Sequence, residues 1–351
     1  MSPTETLAVR EQQLSLWVAQ QLARAPESIQ LKPIASDAGF RRYFRFSTPS
    51  QWLAVDAPPQ TEDSRQFINL ARYLSAHKIN TPSILAADED SGFLLVTDFG
   101  DELLYRHLTP ETVATRYQQT FETLVSLQKC VDEPTLIPRY DLALLRRELQ
   151  IFSEWFVGNL LGYSLSHAEN ALLDKLFTDL ENSALEQPQT LVHRDFHSRN
   201  LIICGDNTLG VIDFQGALWG ACTYDLVSLL RDCYIRWPAE LVKNLALDYR
   251  KTAINKGLLS ATIDEQTYLR WFDWMGLQRH IKVLGIFARL NLRDNKPHYL
   301  KDLPLAIRYT LEVAQTYPAL QPFADWFREK LLPLAEQQPW YSDYLTAGEM
   351  K

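Results

Sequence analysis

The spacing of hydrophobic residues changes along the first hundred positions of the chain. Over residues 3–25, leucine, tryptophan and valine recur at helical spacing, which predicts an amphipathic helix. A second helix is predicted over residues 62–77, after a Pro-Pro pair that stops the preceding strand. Strands are predicted from short apolar and aromatic runs bounded by turn residues, over 43–46, 52–55, 84–86 and 93–96. These elements together predict a small α+β lobe.

After residue 98 the pattern is mainly helical. Leucine, alanine and charged residues at helical spacing predict helices over 111–130, 141–158, 166–183, 223–234, 239–256, 264–293 and 303–315. One short β segment interrupts them, around residues 191–213. We therefore expect an α+β, bilobal fold, with a small antiparallel-sheet lobe over 1–98 and a larger, mainly helical lobe over 99–351. Such an arrangement suits a nucleotide held between the lobes.

Composition and charge narrow the function classes. The chain has 351 residues, of which 46% are hydrophobic, and a formal net charge of −8. This acidic balance argues against a dedicated nucleic-acid binder, because a phosphate backbone calls for a basic face. No stretch approaches the roughly 20 apolar residues of a membrane span, and the first residues are charged where a signal peptide needs an apolar core. With four scattered cysteines, we expect a cytoplasmic monomer that binds neither nucleic acid nor membrane.

The clearest chemical signal is the stretch 191–200, which reads LVHRDFHSRN. It matches H-R-D-x-x-x-x-N, the catalytic-loop pattern of protein kinases, and a predicted β-hairpin follows that ends at Asp213. A carboxylate such as Asp195 can accept the proton of an attacking alcohol, although an aspartate before a polar loop can also be a turn residue only. The amide of Asn200 and the carboxylate of Asp213 offer the oxygen ligands that Mg²⁺ prefers. The sequence therefore predicts phosphoryl transfer from ATP with Mg²⁺, Asp195 being the catalytic base.

A second motif, Asp98-Phe99-Gly100, spells the DFG of protein kinases in the wrong place. It precedes the catalytic loop, whereas the metal-binding aspartate of a kinase follows it, so Asp213 takes that role. We assign Thr97, Asp98 and Phe99 to a linker whose backbone groups bond the adenine edge.

Two residues are predicted to support the catalytic loop without reacting. Asp225 lies in the first turn of a predicted helix, where the helix dipole favours an acidic side chain. That position is consistent with a helix-start residue or with a brace beneath the loop, and we favour the brace. His193, at the start of the loop motif, is expected to be structural as well.

At these residues the chain resembles the aminoglycoside phosphotransferase and choline kinase superfamily, distant relatives of the protein kinases. Longer strings are similar to bacterial anomeric sugar kinases: AGFRRYFR (38–45), DAPP (56–59), DFQ (213–215), RDCYI (231–235) and GLQRHIKVLGIFARL (276–290). The similarity covers roughly residues 30–310. The resemblance implies a protein-kinase-like fold. It also implies an ATP-dependent kinase that phosphorylates N-acetylmuramate or N-acetylglucosamine at the anomeric hydroxyl during peptidoglycan recycling.

The chain departs from that family where the phosphates should bind. The family usually carries a basic residue on the strand where this chain has Asp56, and the preceding loop has Gly39 but no GxGxxG pattern. The positive charge for the triphosphate is therefore expected from Arg41 or Arg42, or else from Arg45. The alternative is that these arginines form only a solvated basic turn.

The charge of residues 270–308 bears on the acceptor. This span has eight basic side chains and three acidic ones, in a chain that is acidic as a whole. A polycationic aminoglycoside would be disfavoured there, whereas the carboxylate of N-acetylmuramate suits a guanidinium. The candidate acceptor-binding residues are Arg279, His280, Lys282 and Arg289. The alternatives are that the cations pair with acids elsewhere and that His280 is a structural histidine.

Two other functions stay open at this point. One is a kinase for choline, thiamine or an amino acid, although choline calls for an aromatic cage with acids around a cation. The other is a nucleotide-binding pseudokinase, which the missing strand lysine suggests. The intact set of Asp195, Asn200 and Asp213 argues against the second.

Overall fold

A computed structural model describes residues 3–34, 40–46 and 50–349, with side chains from residue 7 onwards. In chain order, the elements up to residue 97 are α1 (Pro3–Gln21), β1 (Leu31–Ile34), β2 (Arg42–Phe46), β3 (Trp52–Asp56), α2 (Ser64–Ala76), β4 (Ile84–Asp88) and β5 (Phe93–Thr97). Asp63 begins α2 as a capping residue, because its side chain accepts a hydrogen bond from the amide of Gln66 at 2.9 Å.

The elements that follow are mainly helical. They are α3 (Val113–Gln128), α4 (Leu142–Ile151), α5 (His167–Leu185), β6 (Gln189–Val192), β7 (Leu201–Ile203), β8 (Leu209–Val211), β9 (Leu218–Ala221), α6 (Tyr224–Leu230), α7 (Ala239–Asn255), α8 (Glu265–Leu292), α9 (Leu303–Thr316), α10 (Gln321–Trp326) and α11 (Leu332–Ala335). Wider π-helical turns continue α4 over Phe152–Leu160 and link α10 to α11 over Phe327–Leu331.

The first of two compact units comprises the described residues up to Arg106 together with Arg199–Gly216. Its sheet is antiparallel, in the order β1-β2-β3-β5-β4, and places Arg42 opposite Asp56. Leu14 of α1 is fully buried in the apolar cluster that the sheet and this helix share. Burying a leucine side chain of this kind stabilises the fold by about 1.5–3 kcal/mol.

The β7–β8 hairpin belongs to this first unit by its contacts. Leu103 forms a β-bridge with Ile202, and the amide of Val211 donates to the carbonyl of Asn80 at 2.8 Å. The division expected after residue 98 placed this hairpin in the C-terminal lobe. Its backbone hydrogen bonds group it with the N-terminal unit instead, because a later segment of chain returns to complete that unit.

The second unit, His107–Ser198 with Ala217–Lys351, is organised around the long helix α8. A Cβ added at Gly285 of α8 would lie 2.6 Å from the backbone nitrogen of Phe152, so the two backbones approach as closely as glycine allows. Phe152 and Leu284 are fully buried in the main apolar cluster of this unit. Next to it, β6 and β9 form a two-stranded antiparallel ribbon.

The predicted order of elements is confirmed, with helix ends that differ by a few residues. The helix predicted over 239–256, for example, is Ala239–Asn255. The strands β1 and β9 and the helices after residue 316 were not predicted. Gly39 and residues 47–49, which lie between the strands predicted over 43–46 and 52–55, are outside the described residues. Over the described ranges, no helix has both the length and the apolar character that crossing a bilayer requires.

Candidate active site

The loop after β6 carries Asp195, and its backbone is held by the buried carboxylate of Asp225. Asp225, 2% exposed, accepts a hydrogen bond from the amide of His193 at 2.7 Å and another from the amide of Arg194 at 3.0 Å. Burial raises the pKa of Asp225 to about 6, against the favourable effect of these amides and of His193. The His193 side chain is itself buried, with its ring edge-on to Phe196. The Asp225 carboxylate therefore holds the backbone of the loop, and a supporting role for the His193 ring stays a prediction.

The backbone of this loop is strained at one position and anchored again downstream. Arg194 has φ +77°, a left-handed conformation that non-glycine residues rarely adopt and that the surrounding contacts must hold. Three residues past Asp195, the amide of Ser198 donates to the buried carboxylate of Asp232 at 3.1 Å. Asp225 and Asp232 therefore fix the loop on both sides of Asp195.

The Asp195 side chain is exposed and lies in a field of positive charge. Desolvation raises its pKa, but the charges of Lys282, His197, Arg279 and Arg194 outweigh that effect and lower the pKa below its ordinary value. Asp195 is therefore an ionised carboxylate at neutral pH, in the state that a hydrogen-bond acceptor or a base needs.

Two of these cations, Arg194 and Lys282, also contact a buried carboxylate that the sequence analysis did not select, that of Glu148. Glu148 of α4 is 5% exposed and forms ion pairs with Arg194 and, at 3.0 Å, with Lys282. Its second oxygen accepts a hydrogen bond from the Tyr140 hydroxyl, which in turn accepts one from Gln278 at 2.9 Å. Desolvation raises the pKa of Glu148, and the two cations reverse the effect, so that it is lowered.

The predicted acceptor-binding residues have different surroundings. Lys282 faces inward, between Glu148 and the Tyr224 hydroxyl at 3.2 Å. Arg279 is 4% exposed, with its guanidinium over the Tyr224 ring at 5.2 Å. Arg289 is partly buried, and desolvation lowers its pKa.

His280 is a core residue. Its ring stacks on Tyr309 at 4.6 Å, and its Nε2 lies 3.1 Å from the carbonyl of Arg231. Desolvation lowers its pKa to about 3, so the ring is neutral at physiological pH. These contacts match the structural alternative for His280, and its assignment to the acceptor stays a prediction.

In the first unit, the β7–β8 hairpin brings the two predicted metal ligands together. Asn200 precedes β7 and Asp213 follows β8, and the Asn200 amide lies 3.5 Å from the Asp213 carboxylate. Asp213 has φ +62°, which turns the chain out of the hairpin. The amide of Gln215 donates to Asp213 at 2.5 Å, while the buried side-chain oxygen of Gln215 has no hydrogen-bond partner among the described residues.

The oxygen atoms of one carboxylate and of the amides fit Mg²⁺, which binds few protein ligands and completes its coordination shell with water and phosphate. No cluster of three or more His, Cys, Asp or Glu side chains suited to a metal occurs among the described residues.

In the first unit, backbone amides of the predicted adenine linker are hydrogen-bonded within the protein. The amides of Thr97 and Asp98 donate to the carbonyls of Ser83, at 2.9 Å, and Gln51, at 2.8 Å. The Asp98 carboxylate pairs with Arg45 at 2.6 Å. These two amides therefore already have partners within the protein, and a role for residues 97–99 at the adenine stays a prediction.

The ring of Phe99 lies against the hairpin. A Cβ added at Gly210 would lie 2.6 Å from the Phe99 ring, so a larger residue at position 210 would displace that ring. Phe99 therefore has a packing role in addition to its predicted place in the linker.

Each candidate arginine for the triphosphate has a carboxylate partner. Arg42 pairs at 2.5 Å with Asp56, which is fully buried and also pairs with Arg10. Arg45 pairs with Asp98 and Asp101. The acidic residue on the strand is thus satisfied by two guanidinium groups.

Arg41 differs from the other two arginines in its surroundings. It is 5% exposed, pairs with Glu62 at 2.9 Å, and lies over the Phe67 ring at 4.5 Å. Its Nε has no hydrogen-bond partner among the described residues. Phe67 in turn stacks on Phe214, the residue after Asp213, at 4.9 Å.

Sequence reasoning missed Glu148 and Asp232 because their roles depend on partners far along the chain. It also missed Gln215, although its partner Asp213 is only two positions away. Glu148 lies 46 positions from Arg194, and Asp232 lies 34 from Ser198. For Asp232 a signal was available, since it sits in the string RDCYI on which the family resemblance partly rests. For Glu148 the only hint was an acidic residue within a predicted amphipathic helix.

Comparison with known proteins gives the class. Residues 30–258 match the model of the phosphotransferase enzyme family, and the chain belongs to that family. Among relatives, it is 41% identical to the N-acetylmuramate/N-acetylglucosamine kinase of Pseudomonas aeruginosa, over 87% of this chain and 92% of that protein. Proteins of the same name from Neisseria meningitidis and Pseudomonas putida are 40% and 36% identical, over 82% and 92% of this chain and 86% and 96% of theirs. The predicted family resemblance is confirmed.

Solved structures confirm the fold class. Aminoglycoside phosphotransferase APH(2'')-Ib bound to ADP matches with a TM-score of 0.58 and 14% identity, over 86% of this chain and 98% of that one. Plasmodium vivax ethanolamine kinase matches with a TM-score of 0.59 and 12% identity, over 85% of both chains. At these identities the likeness concerns the fold alone.

Proposed function

We propose that this protein is an ATP-dependent kinase that transfers the γ-phosphate to the anomeric hydroxyl of N-acetylmuramate or N-acetylglucosamine. The prediction of an amino-sugar kinase is confirmed by relatives that carry this name and are 36–41% identical over most of the chain. The position phosphorylated, the nucleotide and the place in peptidoglycan recycling are the finer parts of the proposal. The observation that carries it is an ionised aspartate on a braced HRD loop, in the field of Lys282, Arg279 and Arg194.

Asp195 acts on the acceptor in this mechanism. Its carboxylate accepts a hydrogen bond from the sugar hydroxyl, orients the oxygen for attack, and takes the proton as the bond to phosphorus forms. Because its pKa is held below the usual value, Asp195 is a weak base that receives the proton late, when the hydroxyl has become acidic. A weak base is sufficient for a largely dissociative transition state, because the hydroxyl loses its proton late in the reaction.

The nucleotide is bound through groups of the first unit. Asn200 and Asp213 would hold Mg²⁺, which neutralises charge on the phosphates when it is bound. Gln215 keeps the Asp213 carboxylate in place through its hydrogen bond. All three arginines pair with a carboxylate. We retain Arg41 for the triphosphate, because among these three it is the one whose buried Nε has no partner in the described part of the chain.

For the acceptor, we propose that Arg279 supplies the positive potential that suits a neutral or anionic sugar. Its buried guanidinium has Nε and Nη1 without hydrogen-bond partners in the described part of the chain. The choline alternative would need acids around a cation, whereas Asp195 is surrounded by cations.

The test is to incubate the protein with Mg-ATP and N-acetylmuramate, N-acetylglucosamine, choline or kanamycin, and to measure ADP and acid-labile sugar 1-phosphate. We expect turnover of the amino sugars only. Asp195→Asn should lower kcat on the order of 10²–10⁴-fold, because a positioned base is lost, while leaving the unfolding midpoint nearly unchanged. Turnover of choline in place of the sugars, or a fully active Asp195→Asn, would contradict the proposal.

A further inference from the structure

Glu148 has no role in the reaction as described so far, although it is the most heavily engaged buried carboxylate near Asp195. It receives Arg194, Lys282 and Tyr140 from three different parts of the chain. A carboxylate this deeply buried would be costly alone, and it is kept ionised by its cations. Such an arrangement can stabilise the fold, or it can set the electrostatic environment of the group that those cations surround.

Glu148 and Asp195 share the same cations. Lys282 and Arg194 lower the pKa of both carboxylates, and for Glu148 they do so in direct contact. Arg279 of α8 and His197 of the loop also act on Asp195. Tyr224 and Asp225 of α6 act on Arg279, and the ring of Tyr140 lies edge-on to that of Tyr224. The positive charge that reaches Asp195 therefore depends on how much of it Glu148 neutralises.

The hydrogen bonds around Glu148 fix its direction as well as its charge. Tyr140 bonds one carboxylate oxygen, and Gln278 holds the Tyr140 hydroxyl at 2.9 Å, so the other oxygen is left for the two cations. Lys282 is in turn oriented by the Tyr224 hydroxyl at 3.2 Å. These donors satisfy the remaining oxygen of Glu148 and hold the ion pairs in one orientation.

We propose that Glu148 is a positioning residue for the catalytic base: it neutralises Lys282 and Arg194, which would otherwise bind the Asp195 carboxylate and turn it from the acceptor hydroxyl. The inference rests on the proposed sugar kinase activity. It assigns Glu148 an effect on kcat without contact to either substrate. Loss of its charge makes Asp195 both a weaker base and a misdirected one.

The test compares variants with N-acetylglucosamine, which has no carboxylate of its own to compete for Lys282. Glu148→Gln keeps the shape and removes the charge, so we expect kcat to fall on the order of 10²-fold with KM for ATP within about twofold. Glu148→Asp keeps the charge and should stay within about tenfold of wild type. The double variant Glu148→Gln with Lys282→Met removes the surplus cation and should regain at least about tenfold over the single change.

A matched control is available in the same unit. Glu181 of α5 is 2% exposed and pairs with Arg146, so Glu181→Gln breaks a buried ion pair elsewhere. We expect it to lower the urea midpoint about as much as Glu148→Gln while leaving kcat within about twofold of wild type. This separates loss of stability from loss of positioning.

The outcomes are distinct. If wild type turns over the sugar but Glu148→Gln does so equally well, or if the double variant is slower than the single one, the positioning role is overturned while the kinase activity stands. If Glu148→Gln does not fold, the charge-balanced double variant decides, since a loss beyond about 10²-fold in it refutes the role. Absence of turnover in wild type overturns both proposals.

Discussion

Replacing Asp225 by asparagine tests how the catalytic loop is held, because two opposing terms can be worked out for this residue. Burial raises the pKa of Asp225 from 3.8 to about 6, so keeping it ionised at pH 7.5 costs about 3 kcal/mol. Asparagine has no charge to desolvate. It has a single acceptor oxygen, however, and leaving the amide of His193 or Arg194 without a partner costs about 1–3 kcal/mol. At pH 7.5 we therefore expect a free energy of unfolding within about 2 kcal/mol of wild type.

The pH dependence has a definite sign. Because the folded-state pKa of Asp225 is raised, its contribution to stability is fully present below the unfolded pKa of 3.8 and is lost as pH rises through about 6. Lowering the pH from 7.5 to 5 should therefore stabilise wild type by about 1.4 kcal/mol more than Asp225→Asn. Urea unfolding of both proteins at the two pH values measures this difference. The kcat of the variant should fall about tenfold or more, since Arg194 loses support for its left-handed backbone.

Asp264→Asn is the matched control for this comparison. Asp264 is the capping residue of α8 and accepts a hydrogen bond from the amide of Thr267 at 2.7 Å. Its hydrogen bonds to that residue lower its pKa, so it does not titrate between pH 5 and 7.5. Because asparagine caps a helix about as well as aspartate does, we expect a small change in stability that is the same at both pH values and leaves kcat unchanged. If Asp225→Asn shows an equally flat difference, Asp225 does not titrate in this range and the reasoning is refuted.

Three further predictions follow from the site. Asp213→Asn should raise the Mg²⁺ concentration for half-maximal rate at least tenfold, measured by titration at saturating ATP, and an unchanged requirement would remove Asp213 from the metal. Arg41→Ala should raise KM for ATP at least fivefold, whereas Arg42→Ala should leave this KM within twofold. Arg42→Ala should instead lower the free energy of unfolding by about 3 kcal/mol, because it removes a partner of the buried Asp56. Equal effects of the two variants on KM would contradict this division. Because burial holds the pKa of His280 near 3, His280→Gln should leave the shape of the kcat–pH profile from 5 to 8 unchanged, and a lost inflection would show that the ring titrates.

The arrangement of the HRD loop and of the hairpin after it could be predicted from sequence because it is set locally. Asp195, Asn200 and Asp213 fall within nineteen consecutive positions, and one hairpin of three-residue strands fixes the last two side by side. Turn residues, strand-forming residues and the spacing of oxygen ligands all point to the same arrangement there. The predicted helices are likewise set by periodicity within each segment.

The partners of the charged residues could not be predicted, because they are set by long-range contact. Arg42 is a candidate for the triphosphate, and strand register places it opposite Asp56. Lys282 is a candidate for the acceptor, and the packing of α4 near α8 gives it Glu148 as an ion-pair partner. In both cases sequence spacing identified a cation near the chemistry and could not say which carboxylate it meets.

The same contacts change the argument about the acceptor. The excess of basic residues over 270–308 suggested an anionic sugar, yet Arg270 pairs with Glu186 at 2.7 Å, and Arg308 with Glu312 at 3.0 Å. Acidic residues outside the span neutralise these two charges. The excess of basic over acidic residues within 270–308 therefore overstates the positive electrostatic potential there. Arg279 makes no ion pair within the described ranges and still contributes to lowering the pKa of Asp195. A buried guanidinium beside the base repels a polycation far more than solvated lysines do, because the surrounding dielectric is low. We therefore expect Arg279 to select against aminoglycosides, so Arg279→Met should raise kcat/KM for kanamycin relative to N-acetylglucosamine while changes at Arg270 or Arg308 should not.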